Sequence, residues 1–382
     1  MRLIGSDTDR ELALAVREWA KGLDRRIADA ERAGTLPLDV VRELGSLGVL
    51  GMTVPERDGG LGASTVAFAL VLEELAAAWP SLAVGVSVNS GIVIGSIVRF
   101  GTDAQRARWL PLLMDGRGLG AFALTEPTSG SDAAALRATA VRDGADWRIS
   151  GQKQFITNAR YAPLVIVLAR VGVPEPARAH AGITAFIVPI DAHGVTVGAA
   201  EAKTGLLASD TSSLTLEDVR VPADAMLGEQ GKGFGIAMAG LDGGRIGIAA
   251  QSVGIARAAI ERALRYGSQR KQFGRSILSF EMVQFPLADA RMRLDAARLL
   301  AHRAAWLRDA GRPFTKEASM AKLFASEAAQ RVAYDAVQVF GGYGFMREYE
   351  IERYARDARA TTIYEGTSEV QRMVIARSLT AA

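Results

Sequence analysis

The chain has 382 residues, 49% hydrophobic and 23% charged, a globular composition long enough for two or three domains. Its net charge is only +3 and no basic run interleaves with aromatics, which sets nucleic acid aside as a partner. Cysteine is absent, and His180, His193 and His302 lack metal-ligand spacing, so disulfides, thiolate nucleophiles and Cys/His metal sites drop out.

Met1 to Asp7 show neither an apolar leader core nor an Arg-rich transit pattern, and the expected location is the cytoplasm. Residues 1–118 read as a helical domain. Leu12, Val16, Trp19 and Leu23 recur at helical spacing, Pro37 stands near a helix start, and Ser64 can cap a helix from Thr65 to Leu75. Leu82 to Phe100 is nearly uncharged and about long enough to span a bilayer. Its serines, asparagine and glycines favour a buried helix, and no membrane span is expected.

After Gly120 the pattern changes to short β-branched runs. Thr139–Arg142 and Trp147–Gln152 flank Asp143-Gly144-Ala145-Asp146, a hairpin signal. Leu164–Ala169, Thr184–Pro189, Val195–Val197 and Ser212–Val221 are further strands. Strands without intervening helices predict an antiparallel sheet or small barrel over 119–228. Gly228–Gly235 fits no phosphate-loop pattern and reads as a hinge. Residues 229–382 return to long helices, at 236–269, 281–310, 315–340 and 367–379, and predict a bundle. No βαβ alternation supports a nicotinamide site.

Four strings can carry chemistry. Phe122-Ala-Leu124-Thr125-Glu126-Pro127-Thr-Ser-Gly130-Ser131-Asp132 crowds hydroxyls around a glycine. It can serve a polar ring edge or a phosphate, or it is a turn into the β region. Gln154-Phe155-Ile156-Thr157 is strand core or a stacking surface. Arg270-Lys-Gln272-Phe273-Gly-Arg275 is a solvated helix end or an anion contact. Ile363-Tyr364-Glu365-Gly366-Thr367-Ser368 sets one carboxylate between an aromatic and a turn.

In this order and separation the strings resemble the signatures of the acyl-CoA dehydrogenase family, closest to its short-chain, butyryl-type branch and bacterial relatives. The resemblance covers essentially the whole chain. It implies an α+β multidomain fold with an N-terminal all-α domain, a middle antiparallel β-barrel domain and a C-terminal four-helix bundle. It implies FAD, an acyl-CoA substrate, an electron-transfer flavoprotein as acceptor, and a homotetramer, or at least a dimer.

By the same resemblance Glu365 is the base that removes a proton next to the thioester carbonyl. Phe122, Leu124, Thr125, Gly130, Ser131, Phe155, Ile156, Thr157, Thr367 and Glu369 would meet FAD. Arg270, Gln272, Phe273, Gln338, Gly341 and Gly342 would meet the FAD of a neighbouring subunit. Ser131, Asp242, Arg245 and Gly366 would meet substrate. Some relatives place the base on the helix that here carries Gly244, which cannot accept a proton, leaving Glu365 as the candidate at either location. Phe155 stands where relatives have Trp, Leu207 where many have Arg, and Glu281 where many have Gln. The expected reaction is oxidation of a short- or medium-chain acyl-CoA to the trans-2-enoyl-CoA. The alternatives on this fold are an acyl-carrier-protein dehydrogenase or an acyl-CoA oxidase. Acyl chain length is not legible.

Overall fold

The computed structural model describes residues 6–174 and 177–380. The N-terminal helices are α1 (Asp7–Ala20), α2 (Asp24–Ala33), α3 (Leu38–Ser46), α4 (Thr65–Ala78), α5 (Pro80–Val86), α6 (Gly95–Phe100) and α7 (Asp103–Met114). Local chemistry sets their ends. Ser6 and Asp9 form a capping box on α1, Thr102 and Gln105 form one on α7, and Ser64 Oγ accepts from the Ala67 N–H of α4. Gly34 closes α2 in the left-handed conformation.

Between α5 and α6 the helix widens to a π-helix over Ser87–Ile94. Pro80–Phe100 is the 21-residue stretch apolar enough for a membrane span, yet most of it is buried against the rest of the protein. The expected buried helix is what the chain forms.

The middle strands are β1 (Ala121–Ala123), β2 (Thr139–Asp143), β3 (Asp146–Thr157), β4 (Leu164–Arg170), β5 (Ile183–Pro189), β6 (Val195–Ala200), β7 (Thr211–Val221) and β8 (Met226–Leu227). The sheet order is β6-β7-β3-β2-β4-β5-β8, with β1 beside β4. Most pairs are antiparallel, but β1 and β2 both run parallel to β4. The expected antiparallel barrel is therefore refined to a mixed sheet with an open strand order. β4 explains its own sequence, Leu-Val-Ile-Val-Leu-Ala. Leu164, Ile166 and Leu168 pack into a cluster with Val93, Ile97 and Leu110, while Val165, Val167 and Ala169 face Trp147 and Phe186 on the other side. Both faces are covered, so no polar alternation survives.

The C-terminal helices are α8 (Gly233–Gln269), α9 (Glu281–Asp309), α10 (Thr315–Phe340), α11 (Ile351–Ala360) and α12 (Ser368–Thr380). Alanine-rich faces of α8, α9 and α10 bury together and continue into the core of α1–α4. Gly244 and Gly247 face Glu365 and Ser87, and Gly254 meets the α4 backbone. The absence of side chains there lets α8 lie close to its neighbours.

Candidate active site

Glu365 follows α11 in a turn where Glu365 (φ +53°) and Gly366 (φ +94°) are both left-handed. A left-handed glutamate is strained and persists only when its surroundings hold it. Gln371 Nε2 donates to the carbonyls of Glu365 (3.2 Å) and Gly366 (2.8 Å). Lys322 Nζ of α10 donates to the Gly366 carbonyl at 2.7 Å. One residue earlier, Tyr364 OH donates to Gln251 Oε1 at 2.7 Å. Leu206 of the middle domain packs with Val84, Ile248 and Tyr364. The turn is thus held by α8, α10, α12 and the middle domain.

Both Glu365 carboxylate oxygens are buried, and neither accepts a hydrogen bond among the described residues. What exposure the residue has lies elsewhere in it. The carboxylate rests on Gly244, where a Cβ would come within 2.1 Å of Oε2. Burial pushes the Glu365 carboxyl up to about 7, with Lys322 and Arg245 opposing the rise. An unpartnered buried carboxylate tuned near neutrality matches what a proton abstractor needs. Among the described residues the Glu365 N–H donates to no other main-chain group, so it can serve an incoming carbonyl.

Asp242 and Arg245 stand one turn apart on α8. Arg245 NH1 bonds Asp242 Oδ1 at 2.6 Å and Ser319 Oγ at 3.4 Å, and Thr315 Oγ1 donates to Asp242 Oδ2 at 2.5 Å. The Arg245 Nε is buried without a partner.

The first signature loop is shaped around Glu126, to which the sequence reading gave no role. Its carboxylate accepts from Arg137 N (2.6 Å), Ala138 N (2.9 Å) and the fully buried Lys153 Nζ (2.8 Å). Burial pulls the Lys153 ammonium down to about 8. Gln154 N donates to Thr125 O at 2.9 Å and ties this loop to β3. There the register with β7 gains one residue between Lys153 and Ile156, and such a bulge re-aims side chains. Lys153 points in, Phe155 (φ +58°) points out at 63% exposure, and Ile156 returns to the core. Gly130 and Ser131 are exposed at the loop tip. Leu124 and Ile156 are buried in core clusters, so only their backbones can reach a ligand. Thr367 Oγ1 accepts from Val370 N at the start of α12, and Glu369 is exposed beside it.

The second set of residues clusters elsewhere. Beyond α8 a two-stranded ribbon, β9 (Lys271–Gln272) and β10 (Arg275–Ser276), turns through Phe273 and Gly274, both at positive φ. Phe273 is 92% exposed. Arg270 stacks over Tyr343 at 5.3 Å, next to Gly341 and Gly342, where added side chains would meet open space. Gln338 is exposed on the same end of α10. Arg270 lies 26 residues along from Gly244, about 39 Å at 1.5 Å per residue. Gly244 with the Glu365 turn and Arg270 with its ribbon therefore lie far apart on one chain.

These features agree with a family. Models of the N-terminal, middle and C-terminal domains of acyl-CoA dehydrogenases match residues 6–117, 121–219 and 231–380. The chain belongs to the acyl-CoA dehydrogenase family. It is 44% identical over 374 residues to the mitochondrial short-chain specific acyl-CoA dehydrogenase of Bos taurus, covering 98% of this chain and 90% of that one. Its fold matches butyryl-CoA dehydrogenase from Megasphaera elsdenii with a TM-score of 0.95, at 40% identity, covering 98% and 99% of the two chains. It also matches, at a TM-score of 0.97 and 38% identity over 100% of both chains, a structure solved in work on the electron transferring flavoprotein of Acidaminococcus fermentans.

Acyl-CoA dehydrogenases use FAD, and the residues present fit it. An outward aromatic at Phe155, on a strand that carries Thr157 and is tied to the loop of Thr125 and Ser131, suits a flat ring with polar edges. Arg270, Gln272, Gln338 and the bare backbone of Gly341 and Gly342 suit a pyrophosphate and its nucleoside. Glu281 opens α9 in an exposed position, where a negative charge favours the helix end, so this departure has a structural use. Among the described residues no cluster of His, Asp and Glu is arranged to hold a metal ion.

The sequence reading missed Lys322, Gln371 and the Glu126–Lys153 pair. Lys322 had a signal. It sits in the buried stripe Ala318, Ala321, Ala325, Ala329 of α10, where a lysine breaks the apolar pattern.

Proposed function

We propose that the protein oxidises a short-chain acyl-CoA to its trans-2-enoyl-CoA, with Glu365 as base. The carrying observation is the buried, unpartnered Glu365 carboxylate on Gly244. Bound FAD supplies the acceptor for the hydride that leaves the β-carbon. Glu365 takes the α-proton onto a carboxylate oxygen. Its own N–H donates to the thioester oxygen, where negative charge develops. Closure of substrate over the turn removes water and strengthens both interactions. Asp242 and Arg245, fixed by Thr315 and Ser319, hold the thioester's CoA side. Ser131, at the exposed loop tip, completes that contact.

The separation of the two sets leads us to a composite centre in which Arg270, Gln272, Phe273, Gln338, Gly341 and Gly342 serve the FAD of a neighbouring copy. Met282, Phe285 and Met292 present an exposed apolar face on α9, and Phe345 is 81% exposed, which supports association of copies as a homotetramer. Likeness to the Acidaminococcus structure supports an electron-transfer flavoprotein as electron acceptor.

Anaerobic addition of butyryl-CoA to the yellow holoprotein should bleach the main flavin band. Glu365→Gln should keep FAD and slow bleaching by several orders of magnitude. Bleaching by Glu365→Gln at near wild-type rate would overturn the assignment.

A further inference from the structure

Lys322 is 0% exposed within α10. Burying an ammonium is costly unless something answers its charge. Its hydrogen bond goes to the Gly366 carbonyl, inside the strained turn that carries the base. Gln371 meets the same carbonyl from α12. Two helices therefore clamp one peptide group whose left-handed neighbours would otherwise relax. The Lys322 ammonium, more than Arg245, also opposes the upward push that burial gives the Glu365 carboxyl.

We propose that Lys322 is the positioning residue of the base: it fixes the Glu365–Gly366 turn through the Gly366 carbonyl, and its ammonium biases the buried carboxylate toward its ionised form. This rests on Glu365 being the base. Burial lowers Lys322 itself to about 8, while Glu365 pulls it back up. The other charges in play are Arg245 on α8, which faces both groups and is paired with Asp242, and Glu327 on α10 and Glu369 on α12, which face Lys322. Tyr364, the neighbouring phenol, is held neutral by burial. The sign follows directly. A cation near a carboxylate lowers its pKa, so removing Lys322 raises it. A carboxylate base then loses its working form over a wider acid range.

The test is the pH dependence of anaerobic flavin reduction by butyryl-CoA in wild type, Lys322→Met, Lys322→Gln and Glu365→Gln. In parallel, the carboxyl infrared band of Glu365, isolated as the difference between each protein and its Glu365→Gln counterpart, is titrated without substrate. Lys322→Met should move both midpoints alkaline by about one pH unit or more, a tenfold or greater rate loss below the midpoint that recovers at high pH. Lys322→Gln keeps a donor for the Gly366 carbonyl but no charge. It should show the same midpoint shift with a smaller loss of the high-pH plateau, and it carries the test alone if the methionine variant does not fold. An inert Glu365→Gln with unmoved midpoints in the Lys322 variants would overturn this proposal alone. Normal bleaching by Glu365→Gln would overturn the base assignment and this proposal with it.

Discussion

Replacing Gly244 with alanine probes the base without touching it. The new Cβ would lie 2.1 Å from Glu365 Oε2, 2.9 Å from its Cδ and 3.1 Å from Ile92 Cδ1. Ordinary contact begins at 3.4 Å, so the carboxylate must retreat by about 1.3 Å, and a misplacement of that size costs on the order of 10²-fold in rate, about 2.7 kcal/mol in the barrier. Overpacking adds about 1–3 kcal/mol of lost stability. The assay is single-turnover flavin reduction by butyryl-CoA, with FAD content and thermal unfolding measured on the same samples. Gly240→Ala is the control, because its Cβ meets only the ends of Ile92 (3.2 Å) and Ser96 (3.3 Å) and not Glu365. We expect Gly244→Ala to retain FAD and reduce it about a hundredfold more slowly, and Gly240→Ala to stay within severalfold of wild type. A Gly244→Ala enzyme within threefold of wild type would show that the carboxylate does not work from this position.

Co-expression of Glu365→Gln with Arg270→Ala should yield mixed oligomers more active than either variant alone, because one interface then combines an intact base with an intact partner contact. Equal inactivity of the mixture, with mixed oligomers verified by mass spectrometry, would refute the composite centre. Lys153→Met leaves Glu126 buried without its cation and should destabilise the protein by about 3–5 kcal/mol in urea unfolding, and adding Glu126→Gln should recover part of it. Asp357 is buried, donates nothing as a carboxylate, and accepts from Leu206 N at 2.6 Å. Burial and then Glu31 push its carboxyl up to about 7, with Arg353 and Arg356 opposing. A raised acid pKa costs stability as pH climbs from about 4 to about 7. Asp357→Asn should therefore stabilise the protein at pH 8, by up to about 4 kcal/mol, and much less at pH 5. Equal effects at both pH values would show that the group does not titrate there.

Local rules carried far into this structure because its elements announce themselves locally. The Asp143–Asp146 turn, the Ser64 cap and the spans of α9 and α10 follow from residues a few positions apart. Helix α11 is masked in the sequence because Glu352, Arg353, Arg356 and Asp357 make it look polar, although Arg353 and Asp357 are buried on its inner face beside Ile351, Tyr354 and Ala358. The parallel placement of β1 and β2 on β4 depends on contacts tens of residues away, which no period reports. The same holds at the site. Glu365 stands out through its neighbours in the chain, whereas Lys322 acquires its place only when α10 lies alongside the turn. Glu31 and Asp357, from different domains, grip the consecutive N–H groups of Leu207 and Leu206, and nothing near Leu207 in sequence foretells that.

Helix α8 serves as a ruler. Gly244 seats the Glu365 carboxylate and the helix's far end delivers Arg270 beside Tyr343, with unbroken helix between them. Inserting one residue anywhere in that span would advance the far end by about 1.5 Å and swing it by about 100°. Either the glycine or the arginine would then face the wrong way. Exposed positions along the span can change side chain without moving either end, but its residue count cannot drift.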